Sequence, residues 1–160
     1  MRDASLRADR IALGIGFGSL ALILGALGFQ YIGGVAPCEM CHWQRWPHIA
    51  AAIIGLIAVP LWKKGARPLA IVAIVLVVIS GMIAAYQTGM QLGILPDPQV
   101  CEVDHPFRYG SSVVPEVRCA DMGWTLFGLS LAAYNALISF TTAALGIFLL
   151  GKNGRCLRGF

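Results

Sequence analysis

Charged side chains are scarce in this sequence. Aspartate, glutamate, lysine and arginine make up 12% of the 160 residues, whereas hydrophobic residues make up 58%. Soluble domains carry about 25% charged and roughly 45–50% apolar residues, so the composition excludes an ordinary soluble domain. The few charges lie in short intervals between long apolar runs, which is typical of an integral membrane protein.

Several motifs of cofactor and nucleic-acid chemistry are also absent. The sequence has no Gly-x-Gly-x-x-Gly fingerprint and no cluster of four cysteines, which argues against dinucleotide and iron–sulfur sites. The basic residues, which leave a formal net charge of +4, stand beside apolar runs and form no patch with interleaved aromatic residues. We therefore expect no nucleic-acid partner.

Four apolar runs are long enough to cross a bilayer, which takes about 20 helical residues. They lie near residues 11–32, 46–62, 69–86 and 124–150. We predict a single domain over residues 1–160, an all-α integral membrane protein with a four-transmembrane-helix bundle and loops at 33–45 and 87–123. Pro47 is tolerated in the first turn of a helix, where its missing N–H costs little. A start of the second helix around Cys38–Cys41 is also compatible with the sequence.

Small residues recur at four-residue spacing in each run. Such pairs let helix backbones approach closely in a lipid environment, and they predict a compact bundle. The pairs are Gly14/Gly18, Ala51/Gly55, Gly81/Ala85 and Gly128/Ala132.

The positions of the basic residues predict the orientation. Cytoplasmic loops carry the excess of lysine and arginine, and nine of the twelve basic residues precede the first run, separate the second from the third or follow the fourth. Both termini are therefore expected in the cytoplasm, and the loops 33–45 and 87–123 are expected to face outward.

This orientation separates the five cysteines. Cys38, Cys41, Cys101 and Cys119 are placed outside, and Cys156 is placed inside. Disulfides persist outside the cytosol and are rare within it, so the four outward cysteines predict two disulfide pairs.

The Cys38-x-x-Cys41 pair stands at the beginning of an apolar run. Side chains three residues apart on a helix have Cβ atoms about 5–6 Å apart, whereas a disulfide needs roughly 3.5–4.5 Å, so a bridge requires a tightened turn. A helix N-terminus offers such a turn, and its positive dipole end favours a thiolate. Arg45, four residues after Cys41, adds a fixed positive charge on the same face; the alternative is that Arg45 reaches out to lipid headgroups.

Several other uses of the first pair remain open from the residues alone. One is a zinc site with His42 and His105 as further ligands, and another is an inert structural bridge in a membrane scaffold. The letters Cys-Glu-Met-Cys-His also match a haem-attachment pattern. Redox activity is favoured for three reasons: zinc sites usually need a second closely spaced pair, whereas Cys101 and Cys119 lie eighteen positions apart; a helical membrane bundle does not need a disulfide staple; and haem attachment would consume both cysteines, so that the second pair could not pass its electrons on.

The second pair, Cys101 and Cys119, lies in a long loop with several prolines that an external protein can reach. Electrons are therefore expected to arrive at this pair and to pass to Cys38 and Cys41 by thiol–disulfide exchange. The electron acceptor that fits a site within the membrane is a lipid-soluble quinone beside Cys41 and Arg45.

Two segments carry a resemblance to a known family. They are Cys38 to Pro47 (CEMCHWQRWP) and Cys119 to Ser130 (CADMGWTLFGLS). With the four runs and the two outward pairs, the chain resembles the bacterial disulfide bond formation protein B family over nearly its whole length. The interval between Cys101 and Cys119 is shorter than in better-known members, which leaves open whether a membrane-surface helix lies there.

The resemblance implies a protein-disulfide generating oxidoreductase of the bacterial inner membrane with periplasmic loops. It implies that Cys101 forms a mixed disulfide with a DsbA-like thiol oxidoreductase and that Cys119, its partner, exchanges with Cys38. It also implies that Cys41 interacts with the quinone and that Arg45 stabilises the charge there. A rival of the same architecture would serve one dedicated partner.

Other residues near this site are weaker candidates. Gln30, near the outer end of the first run, is expected to face the quinone cavity, and His42 is expected to be an interfacial residue or a proton-transfer group. For His48 and Asn135 we expect a hydrogen bond between helices, with a quinone contact as the alternative. Because DsbA is a strong oxidant at about −120 mV, ubiquinone suits the acceptor role better than menaquinone.

The separation of the cysteines gives a first prediction. Because Cys156 is placed on the cytoplasmic side, away from the other four cysteines, Cys156→Ser is expected to leave disulfide-generating activity unchanged. A thiol oxidation assay on membranes that contain the variant measures this, and a loss of activity would contradict the predicted orientation or the predicted pairing.

Overall fold

The structure is a computed structural model that describes residues 2–57, 66–97, 108–109, 112–113 and 118–155, with side chains over 8–57, 67–97 and 118–152. The described helices are α1 (Arg2–Tyr31), α2 (Glu39–Ile57), α3 (Ala66–Gln91) and α4 (Leu131–Arg155). Between α3 and α4, β1 (Arg108–Tyr109) pairs with β2 (Ser112–Val113), and β3 (Thr125–Leu126) pairs with β4 (Leu129–Ser130), both antiparallel. The predicted helical fold is confirmed, with these short hairpins added to it.

The helices pack in chain order, α1 on α2, α2 on α3 and α3 on α4, and α1 also contacts α3 and α4. Their buried core consists largely of alanines, among them Ala12, Ala51 and Ala73. Large apolar side chains such as Leu24 and Leu145 are exposed on the outside instead. This distribution fits a bundle whose outer surface faces lipid, because lipid tails solvate apolar side chains and close packing needs small ones.

The helices α1 and α2 come into backbone contact at Gly16 and Gly55. A Cβ atom on Gly55 would lie 2.6 Å from the Cα of Gly16 and 2.7 Å from the carbonyl oxygen of Ala12. Of the predicted small-residue pairs, Ala51/Gly55 lies at this contact, and Gly81/Ala85 lies where α3 meets α4, since a Cβ atom on Gly81 would be 3.1 Å from the Cβ of Ser139; Gly14 and Gly18 have open space around them. The residue of α1 that contacts α2 is Gly16, which lies two residues from Gly14 and two residues from Gly18.

The start of α2 lies within the predicted loop 33–45. The helix begins at Glu39, as the alternative start around Cys38–Cys41 predicts, so Pro47 lies in the helix interior and not in its first turn. A proline there cannot donate to the carbonyl four residues earlier. Ser80 of α3 donates to the neighbouring carbonyl of Gln44 at 3.0 Å, which supplies one hydrogen bond beside this interruption.

The end of α3 also lies beyond the predicted boundary. The helix continues through residues 87–91, which the prediction assigned to a loop, and ends at Gln91. Gly93 follows with φ +70°, and the amides of Gly93 and Ile94 donate to the carbonyls of Met90 and Gly89, both at 2.9 Å. This is a Schellman cap, which a residue of positive φ makes possible. The helix therefore stops where glycine permits the cap.

The predicted fourth run, 124–150, is helical only from Leu131. Residues 125–130 form the β3–β4 hairpin, whose turn residues Phe127 and Gly128 have φ angles of +50° and +78°. Two positive φ angles in succession match a tight hairpin turn and cannot continue a right-handed helix. Ser130 then caps α4, because its Oγ accepts from the amide of Ala133 at 3.2 Å.

Three helices in the described part of the chain are long and apolar enough to cross a membrane. These are Ala8–Tyr31, Arg67–Gln91 and Leu131–Lys152. Within the described residues α2 does not meet the same measure, and the predicted second span, 46–62, extends past Ile57 into residues that are not described. The count of four spans therefore stays a prediction.

The Gly16–Gly55 contact predicts a site-specific loss of stability. Gly55→Ala places a methyl group against the backbone of α1, so we expect a cost of about 1–3 kcal/mol in the free energy of unfolding. Unfolding of the purified protein in detergent, followed by circular dichroism, measures it. Gly14→Ala on the open face is the matched control, and equal losses in both variants would contradict the close approach.

Candidate functional site

The first pair of cysteines lies at the N-terminus of α2. Cys38 precedes the helix and acts as its N-cap residue, since its carbonyl accepts from the amide of His42 at 3.3 Å. Because the N-cap residue has a non-helical backbone, the sulfur of Cys38 can approach Cys41 more closely than two helical side chains would. The two Sγ atoms are 3.0 Å apart, and both cysteines are free thiols.

A third sulfur joins this pair from the segment before α4. Cys119 is buried, and its Sγ accepts a hydrogen bond from the backbone amide of Met40 at 3.5 Å. That amide belongs to the first turn of α2, where backbone N–H groups lack intrahelical partners. Cys38, Cys119 and Met90 form one buried cluster, against which Cys41 packs. The structure therefore brings together three of the four cysteines of the predicted site.

The fourth cysteine, Cys101, lies outside the described residues, as do His105 and Cys156. The predicted partnership of Cys101 with Cys119 and the cytoplasmic position of Cys156 stay predictions.

Gln87 of α3 is a residue at the three sulfurs that the sequence prediction missed. Its Nε2 lies 3.2 Å from the sulfur of Cys38, 3.7 Å from that of Cys41 and 3.5 Å from the carbonyl oxygen of Cys119. Gln91, one turn later, donates to the same carbonyl at 3.4 Å. One amide thus contacts three cysteines. A signal was present in the sequence, because two glutamines four residues apart at the end of an apolar run are expensive to bury unless they have partners.

The two thiols at the start of α2 differ in acidity. Cys41 lies outside the predicted span 46–62. The hydrogen bond from Cys38 lowers the pKa of Cys41 to about 6, although burial acts in the opposite direction. A hydrogen bond from Gln87 and the positive charge of Arg45 contribute to the same lowering. The hydrogen bond to Cys41, together with burial, raises the pKa of Cys38. The lowered pKa of Cys41 and the raised pKa of Cys38 favour the arrangement in which Cys41 is the thiolate and accepts a hydrogen bond from the thiol of Cys38.

A cavity of about 330 Å³ opens beside Cys41, at the low end of the roughly 300–1,000 Å³ of typical ligand pockets. Its walls come from α1, α2, α4 and the segment before α4. Most of the lining is apolar, and Trp124 packs on Phe29 with ring centroids 4.7 Å apart. The polar groups at the wall belong to Cys41, Gln44, Arg45, His48, Tyr134 and Asn135.

Arg45 is held at this cavity by Gln30. Its Nη1 donates to the Oε1 of Gln30 at 2.7 Å, while its buried Nε has no hydrogen-bond partner among the described residues. A buried donor of a charged group normally has an acceptor. A flat apolar ring with carbonyl oxygens would supply that acceptor and fill the apolar walls, so the residues present fit a quinone head group.

The remaining predicted residues lie in different places. His48 and Asn135 form the expected hydrogen bond between helices, 3.0 Å from Nε2 to Oδ1, and both also line the cavity. His42 is exposed and is not among the residues that line the cavity. Its role toward a cofactor stays a prediction, and its position does not support it.

A second cavity, of about 340 Å³, lies on another side of α2. It is lined by Met40, Trp43, Ile83, Tyr86 and Met90, with Glu39, Asp97 and Cys119. Cys119 contributes to this cavity and Cys41 to the first one, whereas Cys38 lines neither of the two. Cys119 and Cys41 thus line different cavities.

Comparison with known proteins places these features in a family. The family model described as "DsbB: Disulfide bond formation protein DsbB" matches residues 8–149. The chain is 29% identical over 150 residues to disulfide bond formation protein B of Aromatoleum aromaticum, covering 84% of this chain and 90% of that protein. It is 30% identical over 151 residues to the protein of the same name from Dechloromonas aromatica, covering 88% and 91%. No solved structure matches the chain.

The acidity of Cys41 gives a pH prediction. Since its pKa is lowered from 9.0 to about 6, the thiolate is present above that pH and is lost as the pH falls through it. Alkylation of Cys41 by iodoacetamide in the reduced protein, located by peptide mass spectrometry, is expected to be half-maximal near pH 6. Cys38→Ala removes the hydrogen-bond donor and should move this midpoint upward; a midpoint that does not move contradicts the role of Cys38.

Proposed function

We propose a function for this chain, which belongs to the DsbB family of disulfide bond formation proteins. The proposal rests on that membership and on the arrangement of the three sulfurs. In this function the protein oxidises the dithiol of a DsbA-like periplasmic oxidoreductase and transfers the electrons to a membrane quinone. It is an integral membrane protein, and we place it in the bacterial inner membrane with both termini in the cytoplasm.

The observation that carries this proposal is the position of Cys38 between two reactive neighbours. Its sulfur lies 3.0 Å from that of Cys41 and also takes part in a hydrogen bond with Cys119. Thiol–disulfide exchange needs an attacking thiolate in contact with a disulfide sulfur. The geometry therefore supports exchange in the order Cys119, Cys38, Cys41, with no large movement of the helices between steps.

The electrons and protons balance over one cycle. The partner's dithiol becomes a disulfide and gives up two electrons and two protons, and the disulfide that it reduces lies in the loop of Cys119, with Cys101 as the predicted point of attack. Exchange with the Cys38–Cys41 disulfide restores the loop pair and leaves Cys38 and Cys41 as thiols. Cys38 and Cys41 return to their disulfide by losing two electrons and two protons, which a bound quinone would take up to become a quinol.

The residues that would hold the quinone are those at the polar end of the first cavity. Arg45 offers its buried Nε, and Gln30 fixes the guanidinium through the 2.7 Å hydrogen bond to Nη1. Cys41 lines the same cavity, so its thiolate faces the space that the ring would occupy. The positive charge of Arg45 would stabilise negative charge that develops there. Ubiquinone is the proposed acceptor, with menaquinone as the alternative.

A reconstituted assay tests this function. The purified protein in lipid nanodiscs with ubiquinone and a reduced DsbA-like protein is expected to produce quinol and oxidised partner in equal amounts. Arg45→Met keeps most of the side-chain length but removes the donors, so we expect the rate of quinone reduction to fall by about 10-fold to 100-fold. The quinone absorbance change measures the rate.

Arg67→Met is the matched control, because Arg67 is exposed at the first turn of α3, at the opposite end of that helix from Gln87, which contacts Cys38, Cys41 and Cys119. An equal effect of both substitutions, or none from Arg45→Met, would remove Arg45 from the site. Failure of the native protein to form quinol with either quinone would overturn the proposed function itself.

A further inference from the structure

We propose that Gln87 is a positioning residue of the thiol relay: a chain of hydrogen bonds that begins at His48 orients its amide to donate to the sulfurs of Cys38 and Cys41. This donation favours the state in which Cys41 carries the negative charge. The inference deepens the proposed function and rests on it for its purpose, whereas the contacts themselves can be tested without a quinone or a partner protein.

The orientation of the Gln87 amide follows from its neighbour Gln44. The Nε2 of Gln44 donates to the Oε1 of Gln87 at 2.6 Å. With that oxygen engaged, the Nε2 of Gln87 faces the sulfurs, at 3.2 Å from Cys38 and 3.7 Å from Cys41, whereas its Oε1 is 4.0 Å from the sulfur of Cys41. The reversed amide would place two N–H groups against each other at 2.6 Å, so Gln44 determines which end of Gln87 reaches the cysteines.

The orientation of Gln44 is determined in turn by α4. The Nδ2 of Asn135 donates to the Oε1 of Gln44 at 2.8 Å, and the Oδ1 of Asn135 contacts the Nε2 of His48 at 3.0 Å. An amide oxygen only accepts hydrogen bonds, so the Nε2 of His48 must carry the proton. The Nδ1 of a neutral ring then accepts from the hydroxyl of Ser19, 3.2 Å away on α1.

The resulting chain has one direction. His48 donates to Asn135, Asn135 to Gln44, Gln44 to Gln87 and Gln87 to the cysteine sulfurs, so every amide points the same way. Hydrogen bonds that are aligned head to tail polarise one another. Because Cys38 accepts from Gln87 and shares a hydrogen bond with Cys41, its thiol can extend the chain to the thiolate of Cys41. The chain thus ends on the sulfur that faces the proposed quinone.

Other groups also affect the ionisation of Cys41, and their effects have to be distinguished from the effect of Gln87. The titratable and charged groups near Cys41 among the described residues are Cys38 and Arg45 on α2, Cys119 in the segment before α4, and the two that line the same cavity, His48 on α2 and Tyr134 on α4. The hydroxyl of Tyr134 donates to the carbonyl of Leu126 at 3.0 Å and so is engaged elsewhere. Gln87, in contrast, is an uncharged hydrogen-bond donor, so replacing it changes no formal charge near Cys41.

Gln91 provides a matched control on the same helix. Both glutamines donate to the carbonyl of Cys119, at 3.5 Å from Gln87 and 3.4 Å from Gln91, but no hydrogen bond links Gln91 to either sulfur of the first pair among the described residues. If Gln87 acted only by holding the segment of Cys119 in place, methionine at either position would have a similar effect. A direct effect on the sulfurs is expected from Gln87 alone.

The experiment compares Gln87→Met and Gln91→Met in the full-length reduced protein in nanodiscs, without quinone or partner. The pH dependence of Cys41 alkylation, read by peptide mass spectrometry, gives its ionisation constant. We expect Gln87→Met to lower this constant about tenfold, as loss of one hydrogen bond to a charged group implies, and Gln91→Met to leave it unchanged. No change in either variant, or equal changes in both, would overturn the proposal.

A third variant covers the case in which Gln87→Met does not fold. Gln44→Met leaves Gln87 in place but removes the donor that orients it, so a smaller decrease in the ionisation constant is expected, and an unchanged constant would overturn the proposal. Quinone reduction is measured separately on the native protein. If that activity is absent while the effect of Gln87→Met is present, the proposed function fails and the positioning role remains.

Discussion

The buried side-chain amides of the bundle govern how the site is built. Transfer of an amide from water to a medium without hydrogen-bond partners costs several kcal/mol, so each buried glutamine or asparagine must meet another polar group. Gln44 meets this condition on both sides, with Gln87 on α3 and Asn135 on α4. These two bonds tie three helices together at one level, and they leave the remaining N–H groups of Gln87 directed at the cysteines.

Close helix packing makes these short bonds possible. Gly16 and Gly55 bring α1 and α2 into backbone contact, and the hydroxyl of Ser19, one turn along α1 from Gly16, then reaches His48 at 3.2 Å. A larger residue at the glycine contact would move α1 away from α2. The small residues therefore act on the chemistry indirectly, through the distance between helices at the level of the polar chain.

Much of the site could be predicted from local spacing. Cys41 and Arg45 are four residues apart, and a helix places such residues on one face, so their common cavity followed from the sequence. The role of Gln87 did not, because its partners are 32 to 49 residues away and single-sequence patterns do not reveal which distant residues meet. The start of α4 was missed for a different reason: the apolar letters of residues 124–130 suit a helix, and only the positive φ angles of Phe127 and Gly128 show the hairpin.

The enclosure of Cys38 affects the fidelity of electron flow. Only 4% of this residue is accessible to solvent, and it lines neither of the two cavities beside its neighbours. In the proposed relay this enclosure would keep small reductants dissolved in water and oxidants dissolved in lipid from its sulfur, which would then exchange only with its two neighbouring cysteines. Such insulation would prevent a short circuit between the aqueous thiol pool and the membrane and would keep each pair of electrons on a single route.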